Sequence, residues 1–178
     1  MESKYRASGL GLLVEEGVLT GVGETPADLA RSLAAMRDLD ADQVRAMTFV
    51  PQAGTPMGAG AAPQPTTELK LISLMRLLMP TSLIPASLDI DGLSGLTQRL
   101  AAGANVVTSL VPPGEGLAGV AQSELDIEAG KRTVAGIQET LAANDLKAAE
   151  AASYRAWVTT RQALKRGVFR EDEKRCAS

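Results

Sequence analysis

Residues 16–24, EGVLTGVGE, decide the fold. Val18 and Leu19 favour a strand, the chain breaks at Gly21 and Gly23, and Thr25-Pro26 opens a helix. Two glycines separated by one residue let the backbone turn through positive φ or approach a ligand closely. Gly21–Glu24 therefore falls where a buried strand ends and a helix begins, the edge at which α/β folds bind ligands.

Outward from this stretch the same unit recurs. Upstream, residues 5–13 have the pattern of a helix feeding a strand over 14–20. Downstream, Thr25 as N-cap, Pro26 at the first turn and Asp28 start a helix with Leu29, Leu33 and Met36 on one face. A second strand spans 43–50, QVRAMTFV, with Arg45, Met47 and Phe49 on one face and Val44, Ala46 and Thr48 on the other. Arg45 is the odd residue of that strand. After a Gly-, Ala- and Pro-rich loop over 51–65 comes a helix with Leu69, Ile72, Met75, Leu78 and Met79, stopped at Pro80. A third strand over 83–88 puts Ser87 and Asp89 on one face. It leads to a helix closed by Gly103 and then a fourth strand over 105–111. From residue 123 the pattern is helical only: Ile127, Val134, Ile137 and Leu141 mark one helix and 148–164 another, anchored by Tyr154 and Trp157, before a charged, frayed tail.

Four successive strand–helix units imply a parallel sheet. Gly21–Glu24, Pro51–Thr55, Ser87–Asp91 and Ser109–Pro113 all fall at strand C-terminal ends, so every unit contributes to one polar rim. A doubly wound sheet uses only the loops at its switch point. The pattern predicts an α/β chain: about four βα units forming half of a TIM-type (β/α)8 barrel over residues 1–122, then a helical extension over 123–178.

Composition narrows the chemistry. The chain has 178 residues, 45% hydrophobic and only 3% aromatic, so Leu, Val, Ile, Met and Ala build its core. A net charge of −3 with mixed signs gives no basic surface for a nucleic acid. Apolar runs are too short for a membrane span. With one cysteine, Cys176, and no signal-peptide pattern, a cytoplasmic protein without disulfides is expected. The absence of histidine excludes His-based acid–base catalysis and most zinc sites.

The pattern Gly17-x-Leu19-x-Gly21-x-x-Glu24 resembles an element of the fifth strand in radical S-adenosylmethionine barrels. FVPQAGTP over 49–56 resembles the sixth-strand loop of their biotin-synthase branch. Within that branch, VRAMTFVPQAGTP, ELKLISLMRLLMPTSLIPASLDIDG and RLAAGANVVTSLVPP are similar to the group that rearranges L-lysine to 3-methylornithine for pyrrolysine biosynthesis. The resemblance covers residues 8–125 closely. It implies a radical mutase dependent on S-adenosylmethionine and a [4Fe–4S] cluster. Gly17, Gly21, Gly23, Glu24, Pro51, Gln52 and Gly54 would bind the S-adenosylmethionine, and Arg45, Ser87 and Asp89 the amino-acid substrate. Such a division is chemically sensible, because a zwitterion needs a fixed cation for its carboxylate and an anion for its ammonium. The competing reading is a buried Arg45–Asp89 ion pair with no ligand.

One departure is clear. The family holds its cluster through Cys-x-x-x-Cys-x-x-Cys near the first barrel strand, whereas this sequence matches from about the fifth and has Cys176 alone. The expectation is a C-terminal portion supplying substrate- and adenosine-binding residues, inactive alone, and either joined by a separate N-terminal half-barrel chain or self-associating. The alternatives are a portion of another biotin-synthase-like radical enzyme, or a non-catalytic relic that acts as an oligomerisation module.

Overall fold

The computed structural model describes residues 2–59, 65–111 and 132–176, with side chains to Gly167. Helix α1 (Glu2–Gly9) leads into strand β1 (Glu15–Thr20). Then follow α2 (Pro26–Asp38), β2 (Gln43–Thr48), α3 (Pro65–Leu78), β3 (Pro85–Ser87), α4 (Leu96–Ala102) and β4 (Val106–Thr108). Helices α5 (Val134–Ala143) and α6 (Ala151–Cys176) complete the chain. The alternating pattern is therefore an α/β fold, as expected.

β1 and β2 pair in parallel with Gly17 beside Arg45 and Leu19 beside Met47. β3 and β4 pair in parallel with Ser87 beside Thr108. The two ribbons join through a parallel bridge between Gln43 and Leu83, with Val44 N–H donating to Leu83 O at 2.9 Å and Leu83 N–H to Asp42 O at 2.8 Å. The strands thus run in chain order. Val44 and Ala46 are buried, while Arg45 and Met47 on the opposite face are not. Helix α3 packs on β2 and α4 on β3, closing a core of Val44, Ile72, Met75, Ile84, Leu88 and Leu96, each fully buried or nearly so. One face of the strands carries helices, and no described helix covers the other.

Several boundaries differ from the sequence pattern for identifiable reasons. The first helix ends at Gly9 rather than near residue 13. Leu12 N–H reaches back to Ala7 O and Gly11 N–H to Ser8 O, with Gly11 at φ 80°, so the glycine is a terminator of the helix. On α3 the core-facing residues are Glu68, Leu71, Ile72 and Met75, with Met79 just beyond. Leu78 faces outward. β4 stops at Thr108 because Ser109 takes φ 65°. α5 starts at Val134, where the Thr133 hydroxyl accepts from Gly136 N–H; Ile127, expected in this helix, lies outside the described residues. α6 runs on to Cys176. No helix among the described residues is long and apolar enough to cross a membrane.

α6 returns to the beginning of the chain. Its Arg161 Nε donates to Asp42 Oδ1 at 2.7 Å, and its Lys165 Nζ to Asp40 O at 2.7 Å. These residues precede β2, so the helix is fastened at the N-terminal ends of the strands. The described side-chain hydrogen bonds of α6 all lie at that end.

Candidate ligand site at the strand C-terminal rim

The turn after β1 has the geometry its glycines suggest. Gly21 and Gly23 sit at φ 91° and 103°, conformations a side chain would strain. The Glu24 carboxylate folds back to accept from Gly21 N–H at 2.9 and 3.0 Å and from Val22 N–H at 3.0 Å. These bonds, the one from Gly21 first, hold the Glu24 carboxyl below its ordinary range. Immediately after, Thr25 caps α2. Its hydroxyl accepts from Asp28 N–H while Asp28 accepts from Thr25 N–H, a reciprocal box.

Arg45, Ser87 and Asp89 line one cavity of about 420 Å³, together with Leu19, Met47 and Gln52. β2 and β3 supply the first two. Asp89 follows β3 by two residues and so returns to the face of Ser87. Gly17 lies elsewhere, on β1 opposite Arg45, where an added Cβ would stand 3.1 Å from Arg45 O and from the Met47 methyl. Its missing side chain leaves room for those two residues. Gly54 takes φ 81° in the exposed loop beyond Pro51 and Gln52.

The charged residues pair differently from the direct Arg45–Asp89 bridge weighed in the sequence. Arg45 Nε lies 2.8 Å from Glu15 Oε1, an ion contact without hydrogen-bond alignment. Asp89 is held from three sides. Its Oδ2 accepts from Ser87 Oγ at 3.0 Å and from Ser109 Oγ at 2.6 Å, and its Oδ1 from Arg132 Nη2 at 2.9 Å. Burial opposes ionisation of Asp89, but the two hydroxyls and the guanidinium outweigh it, so its carboxyl is held below the usual range. A second network closes the floor of the cavity. Arg99 donates to both oxygens of Glu68, at 2.7 and 3.1 Å, and to Asp91 Oδ1 at 2.6 Å, while Thr48 Oγ1 donates to Glu68 Oε2 at 3.1 Å.

Glu68, Arg99 and Arg132 escaped the sequence reading. The first two sit on helix faces whose apolar spacing marks them as ordinary core positions, and Arg132 falls in a stretch read as one long helix. Ser109 was placed on the polar rim by its position at the end of a strand, but not as a partner of Asp89.

No protein-family model matches the sequence. The chain is 44% identical over 146 residues to 3-methylornithine synthase of Methanosarcina barkeri, covering 82% of this chain and 42% of the relative. It is 41% identical over 144 residues to that of Methanosarcina acetivorans. A biotin synthase of Anaeromyxobacter dehalogenans matches at 37% over 82 residues, 46% of this chain. A crystal structure of methylornithine synthase superposes with a TM-score of 0.75 at 43% identity, covering 82% of this chain and 43% of that one. The chain spans about two-fifths of the length of these methylornithine synthases. In sequence and in three dimensions, the chain is a relative of the 3-methylornithine synthases, with the biotin synthases as more distant kin.

Proposed function

We propose that the chain is a C-terminal portion of a radical S-adenosylmethionine mutase that converts L-lysine to 3-methylornithine. It would form half of a (β/α)8 barrel over residues 1–122, with 123–178 as the helical extension. The observation that carries this reading is the meeting of Arg45, Ser87 and Asp89 in one cavity at the strand C-terminal rim of a chain related to 3-methylornithine synthase. Chain-order strands with the described helices on one face only support the barrel, because a doubly wound sheet is covered on both faces.

The substrate roles follow from charge. Arg45 and Ser87 take the α-carboxylate, and Asp89 takes the α-ammonium. The Arg45 contact with Glu15 is no obstacle. Glu15 is half exposed, and such pairs contribute about 0–1 kcal/mol, less than the roughly 1.5–3 kcal/mol of a charged hydrogen bond in a cavity. Asp89 spends three of the roughly four acceptor positions of a carboxylate on Ser87, Ser109 and Arg132. Among the described residues, that leaves one for an ammonium.

The cofactor residues are Gly17, Gly21, Gly23, Glu24, Pro51, Gln52 and Gly54. Gly23 and Gly54 fit an approaching adenosine: a Cβ at either would meet nothing within 4 Å, so their backbone is open. S-adenosylmethionine, when bound, supplies the radical chemistry, and these residues would seat it while Arg45, Ser87 and Asp89 orient the amino acid beside it. A [4Fe–4S] cluster does not fit this chain. Three thiolates are required and the sequence holds one cysteine, Cys176. A complementary N-terminal half-barrel would bring the cluster and cover the open face.

The test is lysine turnover by the chain combined with a polypeptide carrying the Cys-x-x-x-Cys-x-x-Cys half, with 3-methylornithine and 5′-deoxyadenosine measured separately. Arg45→Lys keeps the charge and loses the fork, so lysine turnover should fall while some uncoupled cofactor cleavage persists. Unchanged kinetics for both Arg45→Lys and Asp89→Asn would leave the trio a structural cluster only.

A further inference from the structure

Arg132 opens the last described segment, 43 residues beyond Asp89, yet its side chain is almost completely buried against the Asp89 rim. It does more than neutralise a carboxylate. Nη2 donates to Asp89 Oδ1 at 2.9 Å and to Ser109 O at 2.9 Å, and Nε donates to the same carbonyl at 3.2 Å. One guanidinium thus ties the end of β4 to the residue that follows β3. Ser109 answers with its hydroxyl, 2.6 Å from Asp89 Oδ2. For its carbonyl and hydroxyl to serve both partners Ser109 takes φ 65°, a left-handed conformation that a serine adopts at a cost. Arg132 Nη1 is buried with no hydrogen-bond partner among the described residues, a second cost at the same spot. Strain and an unsatisfied buried donor on either side of one carboxylate mark a constraint on that carboxylate's orientation.

We infer that Arg132, acting with Ser109, is a positioning residue for Asp89: it locks the carboxylate so that one acceptor position stays open to a ligand ammonium. This inference rests on the substrate reading of Asp89 for its consequence, but not for its geometry. A carboxylate free to rotate would still attract a cation, but would not distinguish an α-ammonium from one placed elsewhere on the ligand. Arg132 therefore supplies selectivity more than affinity. Among the described residues, the other charged groups around the cavity are Arg45, Glu68 and Arg99, with Asp91 bound to Arg99. None of them shares a described hydrogen bond with Arg132, whose described side-chain partners are Ser109 and Asp89.

Two readouts on the full chain test this. The first is the 13C resonance of the Asp89 carboxyl between pH 4 and 7, with folding checked by circular dichroism. The wild-type carboxyl should titrate below the ordinary aspartate range. Arg132→Met leaves a partly buried carboxylate without its cation, so protonation should enter the window from the acid side. Arg132→Lys should restore ionisation. The second readout is the ratio of affinities for L-lysine and 6-aminohexanoate, which lacks only the α-amine. Arg132→Met should lower that preference at least five-fold. Arg132→Lys should lower it too, because an ammonium on a flexible stem lacks the planar Nε–Nη2 pair that fixes Ser109 O and Asp89 in one orientation. An Asp89 resonance unmoved in Arg132→Met overturns the inference, and so does a preference retained in both variants. If the wild type binds no lysine, the substrate reading falls while the carboxyl titration still decides whether Arg132 governs Asp89. If Arg132→Met does not fold, the Arg132→Lys preference decides.

Discussion

Arg99 meets Glu68 side-on, Nε and Nη2 donating to the two carboxylate oxygens at 2.7 and 3.1 Å, with both side chains more than nine-tenths buried. Its remaining arm holds Asp91. Gly95 makes room for that arm, since a Cβ there would fall almost on Asp91 Oδ2 and Arg99 Nη1. The network joins α3, α4 and the turn after β3, the same turn that carries Asp89. A fully bonded buried network specifies one arrangement, while a broken one is worse than none.

Glu68→Gln is therefore expected to destabilise the chain by about 3–5 kcal/mol, the usual cost of stranding a buried charge. Replacing Glu68 and Arg99 together with apolar residues should cost clearly less than the two single losses summed. Denaturant unfolding of the three variants measures both. Additive losses would show that the pair does not act as a unit.

At the other end of the strands Asp42, 2% exposed, accepts from Val14 N–H at 2.8 Å and from Arg161 at 2.7 Å, with Lys165 at 3.2 Å. Asp42→Asn should free α6 before it unfolds the rest. Hydrogen exchange would then show α6 amides losing protection ahead of β1 and β2. Equal loss throughout would mean that α6 is integral to the core.

Much of this was legible in the chain. Thr25-Pro26 with Asp28 fixed the start of α2, Gly103 fixed the end of α4, and the run of strand–helix units fixed the order of the parallel strands. Period two correctly set Arg45 opposite Val44 and Ala46, because the strand buries one face only. What stayed hidden depends on long-range pairing. Nothing local assigns Arg132 to Asp89, Arg99 to Glu68 or Arg161 to Asp42, since each partnership spans from 31 to 119 residues. Helix periodicity misplaced the core face of α3 for a related reason. Glu68 counts as polar by type, yet it is buried because Arg99 satisfies it.

Acid should loosen α2 through its cap. Hydrogen bonds from the Thr25 hydroxyl and backbone, and then from Arg31, hold the Asp28 carboxyl down at about 2 against an ordinary 3.8. A carboxyl lowered by folding contributes stability that is complete above the ordinary value and is lost as pH falls towards 2. Helical signal from α2 should decline in that window in the wild type and show no such decline in Asp28→Asn. Thr25→Ala should cost about 1 kcal/mol at neutral pH, where the cap is intact. A pH profile identical in Asp28→Asn would assign the acid sensitivity to other carboxylates.

The open strand face gives the last prediction. Leu19 and Met47 are 40% and 39% exposed, side by side on β1 and β2, on the face that no described helix covers. Among the described residues, β1 pairs only with β2 and β4 only with β3, which leaves an outer edge at each end of the four strands. Apolar side chains beside free backbone edges favour association, because both the exposed surface and the unpaired N–H and C=O groups gain by it. The wild-type chain is expected to self-associate with rising concentration in sedimentation, and to do so less when a complementary half-barrel polypeptide is added. Met47→Asp combined with Leu19→Asp puts two carboxylates on that face and should shift the chain towards monomer. Helix content should not change, since neither side chain enters the core formed by Val44, Ile72 and Met75. A wild type that stays monomeric at high micromolar concentration would show that the face is tolerated in water. The reading of these strands as half of a barrel in need of a partner would then fail.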